Sequence, residues 1–391
     1  MRLGATLLLF VTALPTSAHG QLSLTGYTLG VGTHQNASDV GSGGQTLLGR
    51  VRLMPVLSIE RVTIDIAYEH VVLRTPTTMG FSITAPGGSA ARVGDWLGAS
   101  WDIRTTPRGS WRHRFDRLSV GLSGDRAEVT VGRQAISWAN TLFLTPADPF
   151  SPFDPSDPFR EYRGGVDAVR VRLFAGPFSE VEAVVRPTET ALGTTTTALV
   201  RAQTSRGGWA FGAWAGALHD DPAGAVYASG AVGGTALRTE VAIREDVRGG
   251  MTLRGAVGLD RFFSVSGRDA SAVIEFQYDG FGARSASRLL EVYVSKSFLR
   301  GEIQTLGELT LATSSSYQVH PLVGVSMLAL LNPRDGSLLL SPGLAWSASS
   351  SASVSIGAFT GVGAGLGAEG APGSEYGSVP ALAFLSTTWF F

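Results

Sequence analysis

The chain has 391 residues, of which only 16% are charged, and its formal net charge is −1. Soluble proteins carry about 25% charged residues, and a net charge near zero gives no reason to expect a nucleic acid partner. The absence of cysteine excludes a disulfide framework and a lipid attached through cysteine. No run of 18 apolar residues occurs, so membrane-spanning helices are excluded as well.

The first 20 residues have the pattern of a secretory signal. Arg2 gives a positive start, residues 3–14 form an apolar run, and small residues occur in 16–20. The apolar run is too short to span a bilayer as a helix. We therefore predict a signal peptide at 1–20, followed by one exported domain at 21–391. A buried N-terminal strand or helix is the alternative.

Many later segments alternate between apolar and charged residues, and a period of two is that of a β-strand. In one of them, Val62, Ile64 and Ile66 share one face. Asp65 and Glu69 share the other face. The charged residues that lie opposite apolar ones in the other segments are Arg50, Arg52, Arg170, Arg172, Glu180, Glu182, Arg186, Arg238, Glu240, Arg244, Glu275, Glu302 and Glu308. This pattern fits a soluble sandwich, whose charges face bulk water, and equally a membrane barrel, whose charges face its lumen.

The end of the chain favours the barrel. Leu385, Trp389 and Phe391 share one face of the last segment, whereas Ser386 and Thr388 share the other. A chain that ends on an aromatic residue after such alternation looks like the closing strand of a bacterial outer-membrane β-barrel. A soluble strand that happens to end the chain is the alternative.

The fold predicted from these segments is all-β: a transmembrane, antiparallel, up-and-down β-barrel of about 18 strands, with a range of 16–20. So many strands exceed one sandwich, and closing the sheet satisfies every backbone group, which lipid requires. Residues 302–311 are one predicted strand, and helix is expected only as a turn or two in the long loops. The short turns are expected at 124–125, 176–177, 206–208, 300–301 and 332–336, and the long loops at 35–45, 75–115, 140–164 and 364–377.

The densest motif lies between residues 131 and 170. Residues 131–134 read Val-Gly-Arg-Gln, a proline-rich loop follows, and residues 164–170 read Gly-Gly-Val-Asp-Ala-Val-Arg. Over about 50 residues this resembles outer-membrane porins of the alginate-export kind, in which a Gly-Arg-Gln strand leads to an Asp-Gly/Ala-hydrophobic-Arg strand of the barrel wall. The resemblance implies a porin-like channel, although the chain lacks the basic composition suited to an acidic polymer such as alginate.

The loop within this motif, at about 139–164, is stiffened by its prolines, since each one fixes φ. It either folds inward to narrow the pore, or lies outside as a lid or a plain exposed loop. The candidate residues for a constriction or lid are Asp148, Phe150, Phe153, Asp154, Phe159 and Arg163. By strict alternation Arg133 shares the lipid face with Val129 and Val131, unless it lies at the level of the lipid head groups or a bulge turns it inward.

The function predicted from these features is passive or facilitated diffusion of small hydrophilic solutes through a polar lumen lined by the charged residues. Those charges alternatively pair across strands and only stiffen the wall. The expected location is the outer membrane of a Gram-negative bacterium, reached by export. The expected partners are outer-membrane lipid and lipopolysaccharide, the barrel-assembly machinery through the C-terminal strand, and a small solute.

Enzymatic features are weak, and no cofactor is expected. The six histidines lack the spacing of metal ligands, so no metal is expected either. Two alternatives to a channel remain. One is a structural or adhesive barrel that acts through its surface loops, and the other is an outer-membrane hydrolase with Asp116 and His113 near the rim.

Overall fold

The computed structural model describes residues 20–38, 41–75, 94–150, 162–190, 192–245, 250–367 and 370–391. Within these ranges the chain forms 19 strands and three short helices. The strands are β1 (Gly20–Gln35), β2 (Gly44–Ile59), β3 (Val62–Arg74), β4 (Ser100–Thr106), β5 (Gly109–Ser123), β6 (Ala127–Gln134), β7 (Val166–Phe174), β8 (Ser179–Thr190), β9 (Gly193–Arg206), β10 (Trp209–Leu218), β11 (Asp221–Val232), β12 (Thr235–Glu245), β13 (Met251–Val265), β14 (Arg268–Asp279), β15 (Leu309–His320), β16 (Val323–Asn332), β17 (Ser337–Ser349), β18 (Ala352–Val362) and β19 (Leu382–Phe390). The signal peptide prediction concerns residues of which all but Gly20 lie outside the described ranges.

Eighteen of the strands form a closed antiparallel barrel, as predicted. β1 closes the ring because it pairs with β2 on one side and β19 on the other. At this seam the amide of Gly26 donates to the carbonyl of Phe391 at 2.9 Å, and the amide of Phe391 donates back at 3.0 Å. β4 is the additional strand. It pairs with the first half of β5, Gly109–Arg114, whereas the second half, Leu118–Ser123, pairs with β6.

The two ends of the barrel differ in their connections. At one end, which we call the short end, β1 begins, β19 stops, and the strands are joined by turns of two to four residues. The other end, the loop end, carries the long connections after β3, β6, β14 and β18. The predicted turns at 124–125, 176–177 and 206–208 lie at the short end, whereas the turn at 332–336 lies at the loop end.

The connection between β14 and β15 corrects the sequence prediction. The predicted strand at 302–311 begins only at Leu309, and the preceding residues carry a 3₁₀ helix (Ala286–Arg288), α1 (Leu289–Tyr293) and α2 (Lys296–Leu299). The predicted turn at 300–301 is the end of α2 rather than a hairpin. Ile303 packs on α1 in a small apolar cluster, so tertiary contacts rather than lipid cover it. Among the residues that the structure describes, no helix is long and apolar enough to cross a membrane.

The barrel wall has the inverted polarity expected of a membrane protein. On β8, Val181 and Val185 point outward and are exposed, whereas Glu182 between them points inward and is completely buried. The closing strand follows the same rule, with Leu385 exposed and Ser386 buried. Because the exposed face of strand after strand is apolar, the outer surface suits hydrocarbon.

Candidate functional site: a lumen crossed by an inward segment

The resemblance motif forms an ion pair on the inner wall. Arg133 of β6 and Asp167 of β7 are register partners, and the guanidinium donates to both carboxylate oxygens at 2.8 Å. Arg133 faces inward, contrary to strict alternation, because Gly132 has a φ of +115° that reorients the chain. A Cβ at Gly132 would lie 2.3 Å from the carbonyl oxygen of Leu118, so only glycine fits this position. The Asp167 carboxylate also accepts the amides of residues 96 and 97, which fixes the chain just before β4.

A second cluster of charges joins β2, β3 and β5. Arg52 is buried between Glu69, which is its register partner, and Asp116, whose carboxylate lies 2.7 Å from the guanidinium. Glu69 also accepts a hydrogen bond from Arg114. Asp116 occupies the irregular register position at which β5 departs from regular pairing with β3. Opposite charges on facing strands stabilise each other here and hold the side chains in one arrangement.

The third cluster covers β6 to β9. Glu182 accepts from Arg170 and from Arg201, and Arg201 also bonds Glu180 at 2.7 Å. In the same region Arg172 pairs with Glu128. Arg201 was not among the sequence candidates. The available signal was its place next to the apolar Val200, which the structure shows to be outward and exposed.

The loop after β6 enters the lumen. We call residues 135–150 the inward segment. Glu240 of β12 accepts hydrogen bonds from the backbone amides of Asn140 (2.9 Å), Thr141 (3.2 Å) and Ala147 (3.0 Å). Since β12 lies six positions from β6 in a ring of eighteen strands, the segment extends far across the interior.

Glu275 of β14 makes the same kind of contact further round the ring. Its carboxylate accepts the amides of Leu142 (2.6 Å), Phe143 (2.9 Å) and Leu144 (2.9 Å). β14 is eight positions from β6, and nine would be directly opposite. Two inner-wall carboxylates therefore satisfy six amides of a loop that has no strand partner, which fixes it across the lumen.

Further contacts hold the inward segment, and sequence reasoning missed the side chains that make them. Gln304 accepts the amide of Thr145 at 2.7 Å and donates to the carbonyl of Phe143 at 2.9 Å. Arg254, which pairs with Asp279, donates to the carbonyl of Pro146 at 3.2 Å. Backbone groups were the partners in these contacts, so no charge pattern in the sequence marked them.

Three of the candidate loop residues are described: Asp148 and Phe150 at the C-terminal end of the inward segment, and Arg163 beyond it. Asp148 is buried, accepts from Ser137 at 2.9 Å and pairs with Arg163 at 2.6 Å. Phe150 packs edge-on against Trp138, with ring centroids 4.7 Å apart. The remaining candidates, Phe153, Asp154 and Phe159, lie outside the described residues.

The interior also contains apolar side chains. Leu144 of the inward segment is fully buried in a cluster with Tyr27, Leu48 and Val71 from the first three strands. Tyr162 stacks on Tyr27 at 5.9 Å. The inward segment therefore rests on an apolar layer on one side of the lumen and on carboxylates on the other.

The predicted pore residues differ in how accessible they are. The buried ones are Arg50, Arg52, Glu69, Glu182, Arg186, Glu240, Arg244, Glu275, Glu302 and Glu308, and the half-buried ones are Asp65, Arg170, Arg172, Glu180 and Arg238. Glu302 and Glu308 are not on a strand; they pair with Arg244 and with Arg284 respectively. Much of the predicted set is thus engaged in ion pairs or in holding loops.

The residues proposed for a hydrolase do not converge. Asp116 is buried inside the barrel against Arg52. His113, three residues earlier, stacks with Trp101 and contacts His70 on the outer face. Among the described residues no group of three or more metal-ligating side chains occurs either.

Two loops at the loop end are joined through Glu375, which is a further residue that sequence reasoning missed. It lies between β18 and β19, and its carboxylate accepts the amide of Leu306 at 2.6 Å and the side-chain amide of Asn332 at 2.7 Å. Burial raises the pKa of Glu375 to about 7. The state in which Glu375 is buried between the two loops, which we call the closed state, therefore favours the protonated carboxyl.

This contact should weaken as pH rises. The pKa is higher in the closed state than in an opened loop, so the stabilisation is complete below the ordinary range for glutamate and is lost as pH rises through about 7. We expect the hydrogen-exchange protection of the Leu306 amide to fall about tenfold or more between pH 5 and pH 8, after correction for intrinsic exchange. Glu375→Gln should make the protection independent of pH; an unchanged pH dependence in that variant would show that another group controls the loop.

Comparisons with known proteins agree with the fold. No protein-family model matches the chain, and no curated protein is significantly similar to it. Solved structures do match. Acinetobacter baumannii OccAB1 aligns over 96% of this chain and 98% of its own at 8% identity, with a TM-score of 0.58. OccAB4 of the same organism covers 97% and 100% at 10% identity, with a TM-score of 0.57.

The outer membrane protein OpdK of Pseudomonas aeruginosa, solved with vanillate, covers 94% of this chain and 98% of its own, at 10% identity and a TM-score of 0.55. At such low identity these matches show the fold alone, which is that of outer-membrane porin barrels. The particular resemblance to alginate-export porins stays a prediction.

Proposed function

We propose that this protein is an outer-membrane channel for the passive or facilitated diffusion of small hydrophilic solutes. The observation that carries the proposal is the inward segment, fixed across the lumen by Glu240 and Glu275. A barrel built only as a scaffold has no need of a loop anchored at mid-lumen by charged side chains. A diffusion channel needs one, because a constriction sets the size and charge of what passes.

The half-buried charges are the proposed contacts for the solute. Arg170, Arg172, Glu180 and Arg238 are on inner-wall positions and retain access to solvent. Charged side chains of both signs on the inner wall set up a local field, which orders a polar solute and tunes ion selectivity. The buried charges then serve to hold these residues and the inward segment in place.

The solute class follows from a cation placed beside an aromatic ring on the accessible part of the inner wall. The Arg172 guanidinium lies 5.4 Å from the ring centroid of Phe174, and both side chains are half-buried. OpdK, which shares the fold, was solved with vanillate, a small aromatic carboxylate. We extend the proposal to small amphipathic solutes that carry a carboxylate.

We further propose that residues 1–20 direct export and are removed, and that residues 21–391 form the mature barrel. The closing strand exposes Leu385, Trp389 and Phe391 on its outer face. Such a strand is the proposed recognition element for the barrel-assembly machinery. We propose the outer membrane as its location, because a closed barrel with an apolar exterior has no edge and no bare backbone group to expose to lipid.

Conductance in planar lipid bilayers tests the channel proposal. The purified, refolded protein should give discrete, ohmic current steps, and a permeating solute such as vanillate should block them in a concentration-dependent way. A sham preparation from cells without the gene serves as the control. Folded protein that inserts but stays silent would overturn the proposal.

A structural barrel is the second candidate, and one observation favours it. The apolar cluster that holds Leu144 joins the inward segment to the loop before β19, through Tyr376 and Val379. Loops packed together in this way occupy part of the lumen. Silent insertion in the same bilayers would select this candidate.

A further inference from the structure

The outer wall near the loop end carries a column of side chains that the channel does not use. We call it the rim patch. It is formed by outward-facing residues of the β3, β4 and β5 segments nearest the loop end, namely Tyr68, His70, Val72, Arg74, Trp101, Arg104, Trp111, His113 and Phe115. The register of the three strands arranges them in rows, because paired residues of antiparallel strands point to the same face.

The rows change character from the membrane towards the rim. The lowest rows are apolar, with Ile64 opposite Val120 and Ile66 opposite Leu118. The next row pairs Tyr68 with Phe115, whose ring centroids are 5.6 Å apart. Above it His113 pairs with both His70 and Trp101.

Arginines stand at the top of the column. Arg104 is the register partner of Trp111, and Arg74 is the partner of Gly109 in the row above. Both arginines are exposed, and neither forms an ion pair with any residue in the described ranges. The only nearby carboxylate on β4, Asp102, belongs to the inner face and pairs with Arg112.

The aromatic row is preorganised. Trp101 stacks on His113 at 5.3 Å, and the Trp111 indole N–H donates to Nε2 of His70 at 2.6 Å. Trp101 and Trp111 nevertheless remain more than 40% exposed. Side chains held by their neighbours lose little entropy when a ligand covers them, so this surface is suited to binding.

The order of rows matches an amphiphile that stands upright in the outer leaflet. Apolar rows suit acyl chains, and exposed indole rings suit the interface, where sugars of a glycolipid lie. Free arginines suit phosphate, which a guanidinium binds through two parallel hydrogen bonds. From the histidine row to Arg74 is four residues, or about 13 Å along the strand, which is the scale of a lipid head group.

We propose that the rim patch binds a phosphorylated glycolipid of the outer leaflet, with Arg74 and Arg104 on its phosphate and Trp101 and Trp111 against its sugar. The proposal rests on the outer-membrane location proposed above, which puts the loop end outside the cell. It does not depend on channel activity. Conductance and lipid binding therefore fail or succeed separately.

Native mass spectrometry of the full-length barrel in detergent tests the proposal, with bis-phosphorylated lipid A as the probe. The double variant Arg74→Ser/Arg104→Ser should bind about tenfold more weakly than the original protein, which corresponds to about 1.4 kcal/mol. The matched control is Arg261→Ser/Arg268→Ser, which removes two exposed arginines at the short end and should bind normally. Equal binding by all three proteins, or equal loss in the control, would overturn the proposal.

Experiments with other ligands test the proposal on the unaltered protein, without any substitution. Dephosphorylated lipid A should bind about as weakly to it as lipid A binds to the double variant, and phosphatidylethanolamine should not compete. Inorganic phosphate in millimolar excess should displace little lipid A, because it lacks the sugar and acyl contacts. If inorganic phosphate competes fully, or if dephosphorylated lipid A binds as tightly as lipid A, the site does not recognise the phosphorylated glycolipid.

Discussion

Replacing Glu240 and Glu275 together by alanine should raise the single-channel conductance by roughly twofold or more, because a constriction limits the current through a pore. The two carboxylates accept six backbone amides of the inward segment, and among the residues that the structure describes no other acceptor takes those amides. Each hydrogen bond to a charged group contributes about 1.5–3 kcal/mol. Their loss should loosen the middle of the segment, which the remaining contacts hold less firmly, and so widen the constriction.

The matched control for this variant is Glu128→Ala/Glu180→Ala. It also removes two inner-wall carboxylates, but these pair with Arg172 and Arg201 and do not contact the inward segment. The control should change ion selectivity while leaving the conductance near its original value. If the two double variants change the conductance equally, lumen charge rather than the inward segment limits the current.

Asp167→Asn should destabilise the barrel by about 3 kcal/mol, because it leaves the buried guanidinium of Arg133 with only the more exposed Asp95 as its ion-pair partner. The side chains of Arg133 and Asp167 are almost completely inaccessible, and Asp167 also accepts two backbone amides. Urea unfolding of the protein in lipid vesicles, followed by tryptophan fluorescence, measures the effect. The experiment compares variants at fixed lipid composition.

Two further variants give this experiment its controls. Arg133→Met/Asp167→Asn removes both charges, and we expect it to be more stable than the sum of the single changes predicts, by at least about 1 kcal/mol. Asp125→Asn breaks the pair with Arg61 at the short end, where both side chains are exposed, and should cost less than about 1 kcal/mol. Similar losses for Asp167→Asn and Asp125→Asn would contradict the structural role of the Arg133–Asp167 pair.

Local alternation predicted the wall of the barrel well, because lipid and lumen select opposite residues on successive positions of a strand. Glu182 and Glu240 were assigned to the inner face on this basis, and they are inward and fully buried. Leu385 and Trp389 were assigned to the outer face, and both are exposed. Each assignment needed only the nearest residues in sequence.

The failures arose where contacts between distant residues decide the structure. Residues 302–308 alternate like a strand, yet Glu302 pairs with Arg244 of β12 and Glu308 pairs with Arg284 at the far end of the same connection. Ile303 packs on a helix. Arg133 broke alternation because a single glycine, Gly132, has a positive φ.

The entry of the loop at 139–164 into the lumen stayed undecided from sequence. The groups that hold its described part are backbone amides and carbonyls, which every sequence offers equally. The carboxylates that receive them were among the pore-lining candidates, but their partners are about 100 residues or more away in sequence. Such contacts arise only when the closed barrel brings distant strands and the loop together, so local sequence patterns do not predict them.

Thiol labelling tests most directly whether lipid covers one face of these strands and water the other. The chain has no cysteine, so single cysteines report cleanly. Gln203 of β9 faces inward and is half-buried, whereas Val200 on the same strand faces outward and is exposed. In lipid vesicles, a charged water-soluble thiol reagent should label Gln203→Cys and leave Val200→Cys unmodified. Rapid labelling of Val200→Cys with protection of Gln203→Cys would contradict the account.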